Sequence, residues 1–417
     1  MPSRDQPIVS IVIATHNRRD VLAATLSRLG DGGLTRDEVE VIVVDNASTD
    51  GTGRVAARQA DRVVRLSGNE GSCAKAYGVE QASGKYILFL DDDSYPQAGS
   101  VARMVTHFEH DPRLGAAGFV VHLPDGREEG SALTDVFLGC GVGFRAEALR
   151  AAGGLDRSFF MQAEEYDLAF RLVGAGWSVR LFDDLHVDHL KSPDARQTER
   201  TTFYDIRNNL RVVSRYLPDP FYTVYRKDWE QRYGWLARRH GHGRAFRCGL
   251  RAGRWRGRIE RWSNRRRRLS PDALEHFFRW AFVRRKMAAL AQEGVQRVVF
   301  ADLGKNVYAF FRAAKEVGVS IQAIGDDRFA QPRRCYRGVA VMPLEEALQQ
   351  PCDAVVVSNT AEVFAAETDR CVRAQSDRLV CTWFRRQPEP QSIRQSCLSL
   401  PETADDKERT QACSAAG

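Results

Sequence analysis

No stretch of this chain approaches the ~20 consecutive apolar residues that a membrane-spanning helix needs, so a transmembrane helix is not expected. The opening residues, Met1-Pro2-Ser3-Arg4-Asp5-Gln6, have no apolar signal core, which predicts a cytoplasmic location. Nine cysteines are scattered without one C-x-x-C pair, and their number is odd. A disulfide framework and a paired-cysteine zinc site are therefore excluded as organising devices, and reduced thiols are expected. Acidic residues are scarce in one region: between Tyr225 and Lys286 there are five Asp/Glu against twenty Lys/Arg, a surplus of 15. Because the whole chain carries only +7, everything outside that region sums to −8. The basicity is local and says nothing about the other domains.

At 417 residues there is room for two or three domains of ordinary size. The run Tyr86-Ile87-Leu88-Phe89-Leu90 ends in Asp91-Asp92-Asp93 and then Ser94-Tyr95-Pro96. An unbroken apolar run reads as a parallel strand covered on both faces, with the acids at its carboxyl end, where open α/β sheets bind ligands. Carboxylates at i and i+2 on extended backbone point the same way, so Asp91 and Asp93 converge on one hard cation, magnesium or manganese. A solvated acidic turn is the competing reading. Ile8 to Thr15, Val41 to Val44 and Arg62 to Leu66 read as three further strands, with helices at about Asp20–Leu29, Arg54–Ala60 and Ser72–Ala82. The polar loops Thr15-His16-Asn17, Asp45-Asn46-Ala47-Ser48 and Asp91-Asp92-Asp93 then share one sheet edge. There Asp45 has the chemistry to accept a uracil N–H or hold a ribose hydroxyl, with Thr15 and Asn17 beside it.

Ala14-Thr15-His16-Asn17-Arg18, Val44-Asp45-Asn46-Ala47-Ser48-Thr49-Asp50-Gly51 and Phe89 to Pro96 occur in the order found in the inverting family 2 glycosyltransferases, which this chain resembles over roughly residues 7 to 220. The resemblance, rhamnosyltransferase-like in detail, implies a GT-A nucleotide-diphospho-sugar transferase fold: α/β, a mainly parallel sheet with helices on both faces. It implies a nucleotide-sugar donor, with Asp45 at the base, Asp91 or Asp92 near the ribose, and Thr15, Asn17, Arg18 and Ser48 around them. Asp93 falls on the metal. Lys75 stands where the family has an arginine and offers a phosphate contact. Glu164-Glu165-Tyr166-Asp167-Leu168 matches the family's acidic helix start, making Glu165 the base and Glu164 its competitor. A general base of this kind must lie within hydrogen-bonding reach of the acceptor hydroxyl. Trp177 to Phe182 reads as a further strand, and the family's histidine after this strand corresponds to His189, as a ligand to the metal or the diphosphate, with His186 in reserve. Arg207 faces donor phosphate or acceptor. The stretch Phe137 to Arg145 is expected to floor the sugar site with its glycines.

Residues 1–220 are thus expected to form the catalytic domain and 221–290 a basic, aromatic-rich, mostly helical connector, with glycines from Gly241 to Gly257 arguing against an unbroken helix. Arginine stems and Trp rings suit an anionic membrane surface, and a lipid-linked or other saccharide acceptor would fit that placement. Nucleic acid is the weaker partner reading. Residues 291–386 read as a second, smaller Rossmann-like α/β domain whose first turn, Asp302-Leu303-Gly304-Lys305-Asn306, has one glycine where a dinucleotide fingerprint has three. Residues 387–417 lack periodicity and are expected to be disordered. A sugar-phosphate nucleotidyltransferase is disfavoured, because no glycine- and lysine-rich loop follows the first strand. An inactive member acting as a scaffold through its C-terminal domain is the alternative that Glu165 and Ala76 keep open.

Overall fold

The first sheet grows from apolar runs, three of them buried along nearly their whole length and the edge one partly exposed. In the computed structural model, which describes residues 7–191 and 198–385, these runs are β1 (Val9–Thr15), β2 (Val39–Asp45), β3 (Arg62–Arg65) and β4 (Tyr86–Asp91). They lie in the order β3-β2-β1-β4, all parallel. The sheet continues through β5 (Ser94–Pro96), β6 (Leu114–His122), β7 (Glu128–Glu129), β8 (Gly141–Arg145) and β9 (Ser178–His189). Beyond β4 the order is β8-β6-β9-β5, with β7 paired to β6. Alternate side chains feed two cores. Val12, Ile42, Ile87 and Phe89 pack on one face, and Ile11, Ile13, Val41, Val43, Leu88 and Leu90 on the other. Helices α1 (Arg19–Leu26), α2 (Thr52–Gln59), α3 (Lys75–Gln81), α4 (Ser100–His110), α5 (Ala146–Ala151) and α6 (Glu164–Gly174) supply the covering. The expected α/β architecture is the one present.

Two pieces of this sheet differ from the sequence expectation. Gly141 to Arg145, read as a glycine floor, is a strand running antiparallel to both β4 and β6. Its glycines make room for neighbours: a Cβ at Gly143 would lie 2.1 Å from Met104 Sδ, and one at Gly141 2.6 Å from Val187. The last strand does not stop near Phe182 but runs on to His189, and β5 pairs with it so that Ser94 sits opposite His189. That register carries the histidine to the acidic turn.

Four helices, α7 (Glu199–Tyr216), α8 (Phe221–Arg239), α9 (Gly243–Ser263) and α10 (Pro271–Phe278), follow, with α11 (Trp280–Gln292) leading into the second sheet. Of the glycines that argued against an unbroken helix, Gly241 lies in the turn after α8, while Gly249, Gly253 and Gly257 lie inside α9, where it crosses α7. A Cβ at Gly249 would come 2.5 Å from Phe203 O, and one at Gly253 2.9 Å from Arg207 O. Close approach of the two backbones requires them. The basic segment is only partly solvated, since Trp229 joins the first core and Trp235 the second. Trp255, Ile259 and Trp262 remain exposed on α9, at 63%, 48% and 73%.

The second sheet contains β10 (Arg297–Ala301), β11 (Ser320–Gly325), β12 (Cys335–Tyr336), β13 (Val339–Met342), β14 (Ala354–Val357) and β15 (Leu379–Cys381). Its order is β12-β13-β11-β10-β14-β15, parallel except for β12, with α12 (Val307–Val317), α13 (Leu344–Leu348) and α14 (Glu362–Arg373) between strands. This is the doubly wound arrangement, and its strand order reverses between β10 and β14. Among the described residues no helix is long and apolar enough to cross a membrane. The expected tail, 387–417, lies outside the described residues.

Candidate active site

The carboxyl edge of β4 opens on a cavity of about 290 Å³ whose walls include Arg18, Lys75, Asp91, Asp92, Asp93, Glu164, Glu165 and His189. After Asp91 the chain turns at Asp92-Asp93 instead of staying extended, so the i, i+2 geometry is replaced by a turn. Each acid then has its own partner. Asp91 Oδ1 accepts from Lys75 Nζ at 2.5 Å, and Lys75 also donates to Gly139 O at 2.8 Å. Burial disfavours the Lys75 charge, yet Asp91 outweighs it and raises the pKa above the ordinary lysine value. Asp92 accepts from Thr15 Oγ1 at 2.7 Å, and its burial, only partly offset by Arg18, pushes its pKa up to about 6. Asp93 lies 2.8 Å from Arg18 Nη2 and 3.1 Å from His189 Nε2.

Glu129 Oε2 holds the other ring nitrogen of His189 at 3.1 Å, and Lys191 Nζ lies 2.9 Å from the same carboxylate's Oε1. Burial opposes charge on His189, but Asp93, Cys140 and Glu129 together push its pKa up to about 12. Asp91, Cys140 and His189 each bring one ligand atom within 4.8 Å of the others. Two ligands at ~2.0–2.6 Å from one divalent ion can lie up to roughly 4–5 Å apart, so the donor set fits such an ion. Burial holds the Cys140 thiol above its usual pKa, and a neutral thiol is a poor ligand. Asp91, with Asp93 alongside, is the stronger donor, and His189, held as a cation between Asp93 and Glu129, would ligate an ion only on giving up a ring proton.

Across the cavity, α6 begins at Glu164 after a loop in which Phe160, Gln162 and Ala163 all have positive φ, at 68°, 68° and 64°. Such a run is strained for non-glycine residues and must be held from outside. The buried Asn208 amide does so: its Nδ2 lies 2.9, 2.7 and 2.8 Å from the carbonyls of Phe159, Met161 and Gln162. Arg207 is spent on the same loop, donating to Ser158 O at 3.0 Å and Phe159 O at 2.7 Å. Below them Asp167 is fully buried among Arg171, Arg215 and Tyr216, each at 2.7 Å, which locks α6 to α7.

Glu164 and Glu165 are placed differently. Glu164 is buried against the Ser72 hydroxyl, and its Oε2 has no hydrogen-bond partner among the described residues. Burial, reinforced by Glu165, pushes its pKa up to about 8, so it is a neutral acid at pH 7. Glu165 is half-buried on the cavity wall, and its Oε1 lies 3.5 Å from where a Gly139 Cβ would stand.

Not every expected site residue meets here. Thr15 reaches the cavity only through Asp92. Asn17 and Ser48 join their two loops to each other, Asn17 N donating to Ser48 Oγ at 2.9 Å. Asp45 accepts from Ser48 N at 3.0 Å and, with Arg207, is not among the lining residues. Ser72, Cys140, Gln162 and Lys191 line the cavity although the sequence reading gave them no role. Glu129, against His189, was missed as well.

Residues 10–151 match the family model described as Glycosyl transferase family 2. Over these residues the chain is similar to that family. Among curated relatives, a poly-beta-1,6-N-acetyl-D-glucosamine synthase of Staphylococcus aureus (strain MSSA476) is 29% identical over 113 residues, 26% of this chain and 27% of its own. A Bacillus subtilis (strain 168) protein named for teichuronic acid biosynthesis as the glycosyltransferase TuaG is 27% identical over 155 residues, 32% and 60%. The chain thus spans about a quarter of the first relative's length. Of solved structures, the mannosyltransferase PcManGT of Pyrobaculum calidifontis, in complex with GDP-Man and Mn2+, aligns at TM-score 0.44 and 18% identity, covering 75% of this chain and 87% of that one. GalNAc-T7 with UDP, GalNAc and Mn2+ aligns at TM-score 0.46 and 13% identity, covering 60% and 57%.

Proposed function

We propose that this chain is a divalent-cation-dependent, inverting glycosyltransferase that moves a sugar from a nucleoside-diphosphate donor to an acceptor hydroxyl in cell-surface polysaccharide or glycolipid synthesis. The observation that carries this reading is the two-sided cavity. Asp91, Asp93 and His189, with Arg18 and Lys75 behind them, face the paired glutamates of α6. Asp91, His189 and Asp93 would hold the cation, whose chemistry is to neutralise charge on the departing diphosphate. Lys75, Arg18 and Lys191 add fixed positive charge to the same wall. Glu165 takes the proton of the acceptor hydroxyl as that oxygen forms its bond to the anomeric carbon. The bond to the β-phosphate oxygen breaks, and its electron pair leaves with the nucleoside diphosphate. Attack from the face opposite the leaving group inverts the anomeric centre. The donor, a rhamnosyl nucleotide among the candidates, is ranked by a thermal-shift screen of nucleotide sugars with Mn2+ or Mg2+. At 100 Kd a bound donor stabilises by about 2.7 kcal/mol, and a screen in which no nucleotide sugar raises Tm would count against the reading.

The membrane part of the proposal rests on α9. Trp255, Ile259 and Trp262, at i, i+4 and i+7, share one exposed stripe beside arginines, the pattern of a helix lying in an anionic interface. The chain would then work at the inner face of a membrane, near a lipid-linked acceptor. Flotation with phosphatidylserine vesicles should carry the protein upward, and Trp255→Ala with Trp262→Ala should leave it at the bottom. Equal flotation of both would remove α9 as the contact.

A further inference from the structure

The second sheet turns its switch point toward the glutamates. A second cavity, of about 250 Å³, is lined by Glu165, Tyr166 and Asp205 from the first domain, and by Asp302, Lys305 and Asn359 from the loops after β10 and β14. It shares Phe137, Gln162 and Glu165 with the donor-side cavity. Glu165 therefore stands in the wall between them. A general base in this reaction must reach the acceptor hydroxyl on one side while the anomeric carbon lies on the other.

The crevice of a doubly wound sheet ordinarily takes a nucleotide, with phosphate on the first helix's N-terminus. Here the turn before that helix is covered by the protein itself. Trp229 Nε1 donates to Lys305 O at 3.1 Å, and Tyr225 donates to Asn306 Oδ1 at 2.5 Å. The lone glycine of the turn is also used up, since a Cβ at Gly304 would come 2.9 Å from Ser358 O. What remains open to the cavity is a set of side chains. Arg232, Lys305 and Arg328 face Glu165, Asp205 and Asp302, equal numbers of each sign. Lys305 Nζ lies 2.6 Å from Asn209 Oδ1 and 4.0 Å from the Tyr166 ring centre, while Asn359 Nδ2 donates to Asp302 Oδ2 at 2.6 Å. Asp302 holds a positive φ of 83°, a conformation kept at ligand sites more often than elsewhere.

We propose that this crevice is the subsite for the acceptor, a neutral, hydroxyl-rich saccharide that the appended domain presents to Glu165. The inference rests on the glycosyltransferase reading above. Balanced charge disfavours a second nucleotide, whose phosphates would need a cationic excess. Amide, carboxylate and ammonium groups match the donors and acceptors of adjacent sugar hydroxyls. The rings of Tyr166, Tyr233, Phe137 and Phe364 offer faces for the apolar side of a pyranose. Burial, with Arg232 adding to it, brings the Lys305 pKa down to about 7, consistent with an amine that serves uncharged ligands.

The test uses the full chain and a panel of p-nitrophenyl glycosides as acceptor probes, with binding read by saturation-transfer NMR in the absence of donor. At least one glycoside should bind, and Lys305→Met and Asn359→Ala should each weaken it about tenfold or more, the effect of losing a hydrogen bond to a charged or buried group. UDP binding to each variant, followed separately, reports that the donor half is folded. Glycoside affinities unchanged in both variants, or a panel with no binder, would overturn the assignment. Binding that obeys these expectations in a chain that transfers no sugar would leave the subsite standing and sink the glycosyltransferase reading instead.

Discussion

With Glu165→Gln, kcat falls by about 10²–10⁴-fold while nucleotide-sugar affinity is kept, because the amide cannot take the acceptor proton. Glu164→Gln behaves differently. The neutral acid at 164 is already what a glutamine imitates, so the loss stays below tenfold, about 1.4 kcal/mol of barrier. The pair also separates on stability. The folded pKa of Glu164, about 8, lies above the ~4.3 of an unfolded glutamate. Between those values the folded chain holds a proton that the unfolded chain has released, so stability falls as pH rises through that window. The slope is at most about 1.4 kcal/mol per pH unit and flattens above pH 8. Thermal melts from pH 5 to 9 should show this decline in the wild type and lack it in Glu164→Gln. A large kcat loss in Glu164→Gln with an active Glu165→Gln would exchange the two roles.

Asp167→Ala should lower unfolding free energy by about 3–5 kcal/mol, the usual result of removing one partner from a buried ion pair. Arg215 and Arg171 would be left facing the gap, Arg215 with only Asp156 and Glu260. Because Asp167 ties α6 to α7, the same change should loosen the start of α6 and reduce turnover beyond the loss in folded fraction. Urea denaturation measures the first part. A loss under 1 kcal/mol would mean that the network is not what fixes Glu165.

Much of this was readable because the informative strands are chemically plain. Val9 to Thr15 and Tyr86 to Leu90 are long β-branched or apolar runs, and their carboxyl ends carry polar residues of the first cavity. Strand β8 was hidden because Gly141 and Gly143 remove the apolar pattern, and the reason for those glycines, Met104 and Val187, is far away in sequence. The end of β9 did contain a signal. Leu185, Val187 and His189 are buried in alternation, yet the intervening acids read as a loop. Cys140, Glu129 and Lys191 had no local pattern, since only the pairing of β4 with β8 and of β6 with β7 and β9 gathers them. Arg207 shows the limit of motif reasoning: the residue matches, but its side chain braces the 158–163 loop. The basic segment resolves by face, with Trp229 and Trp235 in cores and Trp255 and Trp262 on the surface.

Transfer from an α-linked nucleoside-diphosphate sugar, followed by ¹H NMR, should give a β-linked product that is lost on chelation and in Asp93→Ala. An α-linked product, or transfer that survives both the chelator and Asp93→Ala, would contradict the proposed mechanism.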